Sequence, residues 1–285
     1  MSEAVERIPA PDGATIALHT FGAGPGIVVV HGGGVTIDIY KRLAGRLADR
    51  FAVHLYNRRG RGDAGPRREP YTFEQDLADL GAILEHTGAR NVIGHSSGGY
   101  LALDAARRGL PIERLAVYDA AVSVAGGFPA QWLDAAREAA ARGEVALAMA
   151  LTGGGLNTQS ATSRLPLGVQ VAICRAFLRT SIGRTMGDLL GMTLDESQQV
   201  RLHDAPAEAW SGITAEVLLA YGAGGPPYYV GLNNALAGAI PRARVLAVQR
   251  SGHDGLNRAP ARIVEPLAGF FAYSIEQYRE VRPQA

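Results

Sequence analysis

Short, solid apolar runs alternate along this chain with longer segments in which apolar residues recur every three or four positions. Ile27-Val28-Val29-Val30 contains no polar residue, as expected of a strand covered on both faces. Residues 51–56, 91–93, 115–118, 217–221 and 245–248 are further strand candidates. Between them the period lengthens. Thr72-Phe73-Glu74-Gln75 reads as a capping box, after which Phe73, Leu77, Leu80 and Leu84 fall on one helical face. The alanine-rich stretch 100–108 stops at Gly109, with Pro111 just beyond. Near the start, Pro11-Asp12-Gly13 separates two extended stretches and predicts an antiparallel hairpin at the edge of a sheet. Strands alternating with helices predict an α/β fold, a mostly parallel sheet with helices on both faces.

The alternation breaks once. From about residue 123 to 212 the chain carries helix signals and no convincing strand. Residues 132–142 are amphipathic, Val169, Ile173 and Phe177 recur at every fourth position, and Met186, Leu189 and Leu190 extend another helical stretch. Glycines 153–155, 183, 187 and 191 punctuate it. The expected division is a core of residues 1–122 and 213–285 with a helical insert, 123–212, laid over the strand ends as a cap or forming a second domain.

Composition narrows the setting. Of 285 residues, 47% are hydrophobic and 19% charged, which describes a packed globular protein and excludes disorder. With 28 basic against 27 acidic residues, no overall field recruits nucleic acid, a membrane surface or an acidic protein. The single cysteine, Cys174, closes no intrachain disulfide and makes no cysteine-based zinc site. The first residues lack the apolar core of a secretory signal, and no apolar run approaches the ~20 residues of a membrane span. A soluble, reducing, cytoplasmic setting is expected, with a small molecule as partner and no metal or cofactor.

The chemistry gathers in two glycine-rich turns. Gly94-His95-Ser96-Ser97-Gly98 lies between a predicted strand and a predicted helix. A serine at the apex of so tight a turn sits in strained backbone, and side chains two positions before and after it would clash. Glycine at both positions removes the clash, and the turn lifts the hydroxyl out of the sheet beside a helix N-terminus. An ordinary glycine-rich turn is the alternative. Directly after the first buried strand comes His31-Gly32-Gly33-Gly34. Acyl transfer needs two preorganised amide donors for its oxyanion, each worth ~2.7–4 kcal/mol. The N–H groups of Gly33 and Ser97 are the candidates, with His31, Gly32 and Gly34 as the supporting loop. A phosphate-binding turn is the competing reading, but the run lacks both the P-loop ending and the dinucleotide fingerprint.

With Asn57-Arg58-Arg59-Gly60-Arg61-Gly62 after the next strand and Ser251-Gly252-His253-Asp254 after the last, the chain resembles the α/β-hydrolase superfamily. The resemblance covers about residues 14–121 and 214–272. It implies eight strands, a site at their carboxyl ends and a variable helical lid after the sixth. It implies Ser96 as nucleophile, His253 as general base and 57–62 as a structural turn behind the site. Haloalkane dehalogenase and epoxide hydrolase roles are disfavoured, because those members carry aspartate where this chain has Ser96.

The acid departs from the common pattern. Loop 221–227, after the seventh strand, contains no carboxylate, so the resemblance points to Asp119 at the end of the sixth. Otherwise Asp119 caps a helix of the insert, and the site is a dyad or draws its acid from Asp134, Asp188, Asp195 or Asp204. Phe128, Trp132, Met149, Leu151, Phe177, Met186 and Met192 would line an apolar pocket if they face the strand ends, and Tyr228 and Tyr229 are ambiguous. The leading expectation is a serine hydrolase acting on an ester, lactone or thioester. An acyltransferase, lyase or cyclase on the same scaffold, or a binding protein that has lost turnover, are the alternatives.

Overall fold

The computed structural model describes residues 3–272. Eight strands form one sheet: β1 (Glu3–Pro9), β2 (Thr15–Phe21), β3 (Gly26–Val30), β4 (Ala52–Tyr56), β5 (Asn91–His95), β6 (Arg114–Tyr118), β7 (Glu216–Gly222) and β8 (Ala243–Val248). Their spatial order is β1-β2-β4-β3-β5-β6-β7-β8. The first two strands make the expected edge hairpin, β2 runs antiparallel to β4, and all remaining pairs are parallel.

Among the core strands lie α1 (Lys41–Leu47), α2 (Glu74–Thr87) and α3 (Ser97–Arg107). Five α-helices and a short 3-10 turn (Ala207–Trp210) separate β6 from β7: α4 (Leu133–Ala141), α5 (Val145–Leu156), α6 (Leu167–Phe177), α7 (Ser181–Asp188) and α8 (Leu190–Leu202). After β7 come α9 (Tyr228–Ala239), α10 (Gly255–Arg258) and α11 (Ala261–Ala272).

The solid apolar runs are explained by burial on both faces. Val28, Val30, Val92, Leu115 and Val117 pack with Leu80 and Leu84 of α2, Leu101 and Leu103 of α3 and Leu236 of α9. Their neighbours Ile27, Val29, Ile93, Ala116 and Tyr118 point the other way, against Leu43 and Leu47 of α1 and Leu267 and Phe270 of α11. The period of two thus divides each strand between two hydrophobic layers, where a buried leucine or phenylalanine contributes about 1.5–3 kcal/mol.

Two local expectations are revised. Helix α2 begins at Glu74 with Phe73 as its N-cap and no side-chain cap. Gln75 instead accepts from the Arg68 amide at 3.0 Å and donates to Asp12 at 3.1 Å, so the predicted capping box is not made. In the insert, the fourfold spacing of Val169, Ile173 and Phe177 does mark a helix, but α6 buries none of its residues. Val169 and Ile173 are 45% and 42% exposed. The insert's own core is small, chiefly Trp132, Leu133, Ala136, Ala139, Ala148, Leu190 and Leu194. Among the described residues it contains no strand, only an isolated bridge between Val124 and Ala205.

Parallel pairing fixes where chemistry can gather. Val30 lies opposite Gly94, and His95 opposite Tyr118, so β3, β5 and β6 end side by side. His31, Ser96 and Asp119 are the next residues along these three strands, at their carboxyl ends.

Candidate active site

Ser96 has φ 54° and ψ −123°, a left-handed conformation that costs a non-glycine residue about 1–3 kcal/mol. The surroundings enforce it. The Ser96 amide donates to Tyr118 O at 3.1 Å, and its carbonyl accepts from Gly99 and Ala121, both at 2.9 Å. A β-carbon on Gly94 would lie 2.7 Å from Gly98 O, and one on Gly98 only 2.3 Å from Val30 O. Both glycines of the motif are therefore steric requirements. Ser96 Oγ has no hydrogen-bond partner among the described residues and faces a cavity that His253 also lines.

Asp119 takes a left-handed backbone, φ 46°, at the end of β6. This turns its fully buried carboxylate toward the loop after β8. Oδ2 accepts from His253 Nδ1 at 3.1 Å, while Oδ1 accepts from the Gly222 amide at 3.1 Å. Asp119 makes no helix cap. The imidazole of His253, whose side chain is 47% exposed, lies nearly parallel to the Tyr229 ring at 6.1 Å. The alternative acids are engaged elsewhere: Asp134 with Arg201, Asp195 with Arg67 and Arg137, and Asp204 with Ser123. Asp188 is exposed at the end of α7.

The glycine turn after β3 packs against Ser96. A β-carbon on Gly32 would stand 3.0 Å from Ser96 Cβ, so Gly33 follows directly beside the serine. Ser97 opens α3, and its amide therefore has no acceptor within the helix. His31 is fully buried. Its Nε2 accepts from the Arg58 amide at 3.0 Å, which leaves Nδ1–H to donate to Gly32 O at 2.8 Å. Burial, then Arg61 and Arg58, hold this imidazole well below its ordinary pKa, so it is a neutral prop for the turn.

Sequence reasoning missed a buried relay behind these loops. The Gly32 amide donates to Tyr40 OH at 3.1 Å, and that hydroxyl donates to His95 Nδ1 at 2.6 Å. His95 Nε2–H then donates to the backbone carbonyl of His253 at 3.0 Å. Burial, reinforced by neighbouring His253, keeps His95 well below its ordinary pKa and therefore neutral. The chain ties the glycine turn to the loop that carries His253. Tyr40 had no motif to announce it.

The cavity has a volume of about 340 Å³ and lies between the strand ends and the insert. Of the residues expected to line it, Phe128, Met149 and Met186 do so, joined by Leu156, Leu190, Tyr228 and Tyr229. Trp132 and Leu151 belong instead to the insert's own core. Met192 packs on the turn at Gly60, where its Cε would sit 2.4 Å from a β-carbon. Phe177 does not line the cavity. A larger groove of about 610 Å³ between the start of α5 and α6 is lined by no serine, cysteine or histidine, and its ionisable side chains are Glu144 and Arg175. Among the described residues no cluster of His, Cys, Asp and Glu could hold a metal ion.

The turn 57–62 divides its arginines between two tasks. Arg59 braces the fold behind the site, at 2.6 Å from Asp79 and 3.0 Å from Asp12. Arg58, wholly buried, binds Asp76 at 2.8 Å and Tyr71 OH at 2.8 Å on one side. On the other it reaches Ser97 Oγ at 3.3 Å and Glu196 at 3.2 Å. Glu196 comes from α8 of the insert, is 2% exposed, and also pairs with Arg61. Its only trace in the sequence is a charged residue in a helix of unremarkable amphipathicity.

The chain matches the alpha/beta hydrolase family over residues 27–265. It is 40% identical over 88 residues to a pimeloyl-[acyl-carrier protein] methyl ester esterase of Chromobacterium violaceum, an overlap of 30% of this chain and 32% of that protein. The chain spans about a third of the length of the curated relatives it matches. An alpha/beta hydrolase from Sphaerobacter thermophilus superposes with TM-score 0.76 at 28% identity, covering 93% of this chain and 100% of that one. The enol-lactonase from Burkholderia xenovorans shares the fold at TM-score 0.71 and 21% identity, covering 94% of this chain and 100% of that one.

Proposed function

Because the chain belongs to the α/β-hydrolase family, we propose that it is a serine hydrolase cleaving an ester, lactone or thioester of a mainly apolar small molecule. The observation that carries this reading is the 3.1 Å contact between Asp119 and His253 Nδ1, beside a cavity that both His253 and Ser96 line. With Nδ1–H held by Asp119, Nε2 is the free base. It takes the Ser96 proton as Oγ attacks the acyl carbon. The amides of Gly33 and Ser97 receive the negative charge that develops on the carbonyl oxygen. The imidazolium then returns its proton to the departing alcohol or thiol. Water, activated by the same imidazole, attacks the acyl-serine and releases the acid.

The insert acts as a lid, and its residues around the cavity supply apolar walls, which favours a hydrophobic acyl or ring-bearing group over a charged one. The names of two similar proteins, a methyl ester esterase and an enol-lactonase, support cleavage of an ester or lactone. Transfer, lyase or cyclase chemistry drew its motive from the carboxylate-free loop 221–227. Asp119 on His253 supplies the acid that loop lacks, and so favours hydrolysis.

Ser96→Ala tests the reading. The variant loses both turnover of p-nitrophenyl butyrate and labelling by a fluorophosphonate. Undiminished hydrolysis by the variant overturns the serine mechanism.

A further inference from the structure

Glu196 is a buried carboxylate with no part in the scheme above, and its surroundings are specific. Helix α8 rests on the glycine turn through two residues on one face: a β-carbon on Gly33 would meet Glu196 Oε2 at 3.0 Å, and one on Gly34 would meet Thr193 Oγ1 at 2.9 Å. Glu196 Oε2 also accepts from Ser97 Oγ at 2.5 Å, the short distance of a charge-assisted bond, and from Arg58 at 3.2 Å. Its other oxygen takes Arg61. One side chain of the insert thus touches both residues whose amides are assigned to the oxyanion, and two arginines of the core.

We propose that Glu196 is a positioning residue for the oxyanion site, holding Ser97 and the Gly33–Gly34 turn at the spacing a tetrahedral intermediate requires. The proposal rests on the serine-hydrolase reading. A carboxylate beside a developing oxyanion would by itself oppose the reaction. Arg58 and Arg61 cancel that charge, and Asp76 balances the second arginine, so the cluster of two cations and two anions is neutral. Burial alone would raise the Glu196 carboxyl, but Arg58, Arg61 and the Ser97 hydroxyl outweigh it and hold the group down to about 2, ionised at any working pH. What Glu196 supplies is therefore geometry. Displacing a preorganised donor by about 1 Å costs on the order of 100-fold in rate.

A mutant cycle of Glu196→Gln, Ser97→Ala and the double variant tests this, with kcat expressed per serine titrated by a fluorophosphonate. Glu196→Gln lowers kcat about 10- to 100-fold, leaves KM within about threefold, and slows phosphonylation of Ser96 in parallel. Because the carboxylate acts through the Ser97 hydroxyl, the double variant loses no more than the worse single one. A looser insert without this role would change Tm or the titratable fraction and leave kcat per site unmoved, which overturns the proposal. So does an increase in kcat, the outcome if charge alone mattered, or losses that multiply in the double variant. Should Glu196→Gln fail to fold, Ser97→Ala decides: kcat within about threefold of wild type overturns the proposal, and a tenfold loss supports it. Wild-type enzyme that takes no label at Ser96 overturns the serine reading and this proposal together. A labelled wild type with an unimpaired Glu196→Gln variant overturns the proposal alone.

Discussion

A β-carbon on Gly98 would be driven to 2.3 Å from a carbonyl oxygen, whereas one on Gly168, in α6 of the insert, would meet nothing within 4 Å. The two glycines stand for two ways of building a site. At the strand ends, backbone packing over-determines each position: Ser96 and Asp119 are both held at positive φ because parallel strands, a helix start and tight loops leave no other arrangement. The insert is held by a small apolar core and by the ionic cluster at Glu196, and α6 buries nothing. Reactive groups belong on the first kind of frame, where geometry is kept by sterics. The second kind shapes a pocket and reaches the chemistry through only a few contacts.

The comparison is broken most sharply by removing the proposed acid. Asp119→Asn keeps an acceptor for the Gly222 amide but lets the imidazole adopt the wrong tautomer, which costs about 10⁴ in kcat in a serine protease. Asp195→Asn, on the insert, loosens only partly exposed pairs with Arg67 and Arg137 and leaves kcat within about twofold. Steady-state kinetics of the two variants check this. If Asp119→Asn stays within tenfold of wild type while Asp195, Asp134, Asp188 or Asp204 proves indispensable, the insert supplies the acid after all.

The same contrast explains what could be read from the residue string. The sheet was legible because strands buried on both faces must be solidly apolar, and the serine turn because sterics demand glycine at 94 and 98. Asp119 was legible only through the family resemblance, since its proposed role depends on a positive φ that no local pattern encodes. Tyr40, His95 and Glu196 were not legible as parts of the site. Each is tied in by two or three hydrogen bonds whose partners lie 8 to 158 residues away, and spacing cannot report such bonds. The pocket lining was half legible: apolar spacing identified helices in the insert but not which face each would turn to the cavity.

A second, smaller effect sharpens the picture of how the insert is tied down. Glu196 faces Arg58, Arg61, Ser97 and the neutral His31, with Asp76 and Tyr71 behind Arg58. Its carboxyl is depressed from an ordinary 4.5 to about 2. A depressed carboxyl contributes stability that is complete above the unfolded value and lost as pH falls through the folded one. Wild type should therefore exceed Glu196→Gln by an amount that is constant from pH 7 to about pH 5 and shrinks by about 3 kcal/mol toward pH 2. Denaturant midpoints measured across that range check it. An advantage that does not change with pH would mean the carboxylate is not held by the arginines in solution.

The least effect is expected where the insert is least constrained. Gly168 lies in the first turn of α6, exposed, at an ordinary helical φ and free of neighbours. Gly168→Ala removes conformational freedom from the unfolded chain without a clash, worth about 0.4–1 kcal/mol, or roughly 1–4 °C in Tm for a chain of this size. Activity is unchanged, because α6 contributes no residue to the cavity that Ser96 and His253 line. A melting curve shifted downward would mean that α6 does not hold a helical first turn in solution. The same substitution at Gly98 has no such latitude, and the difference between the two positions measures how far steric definition extends from the strand ends into the insert.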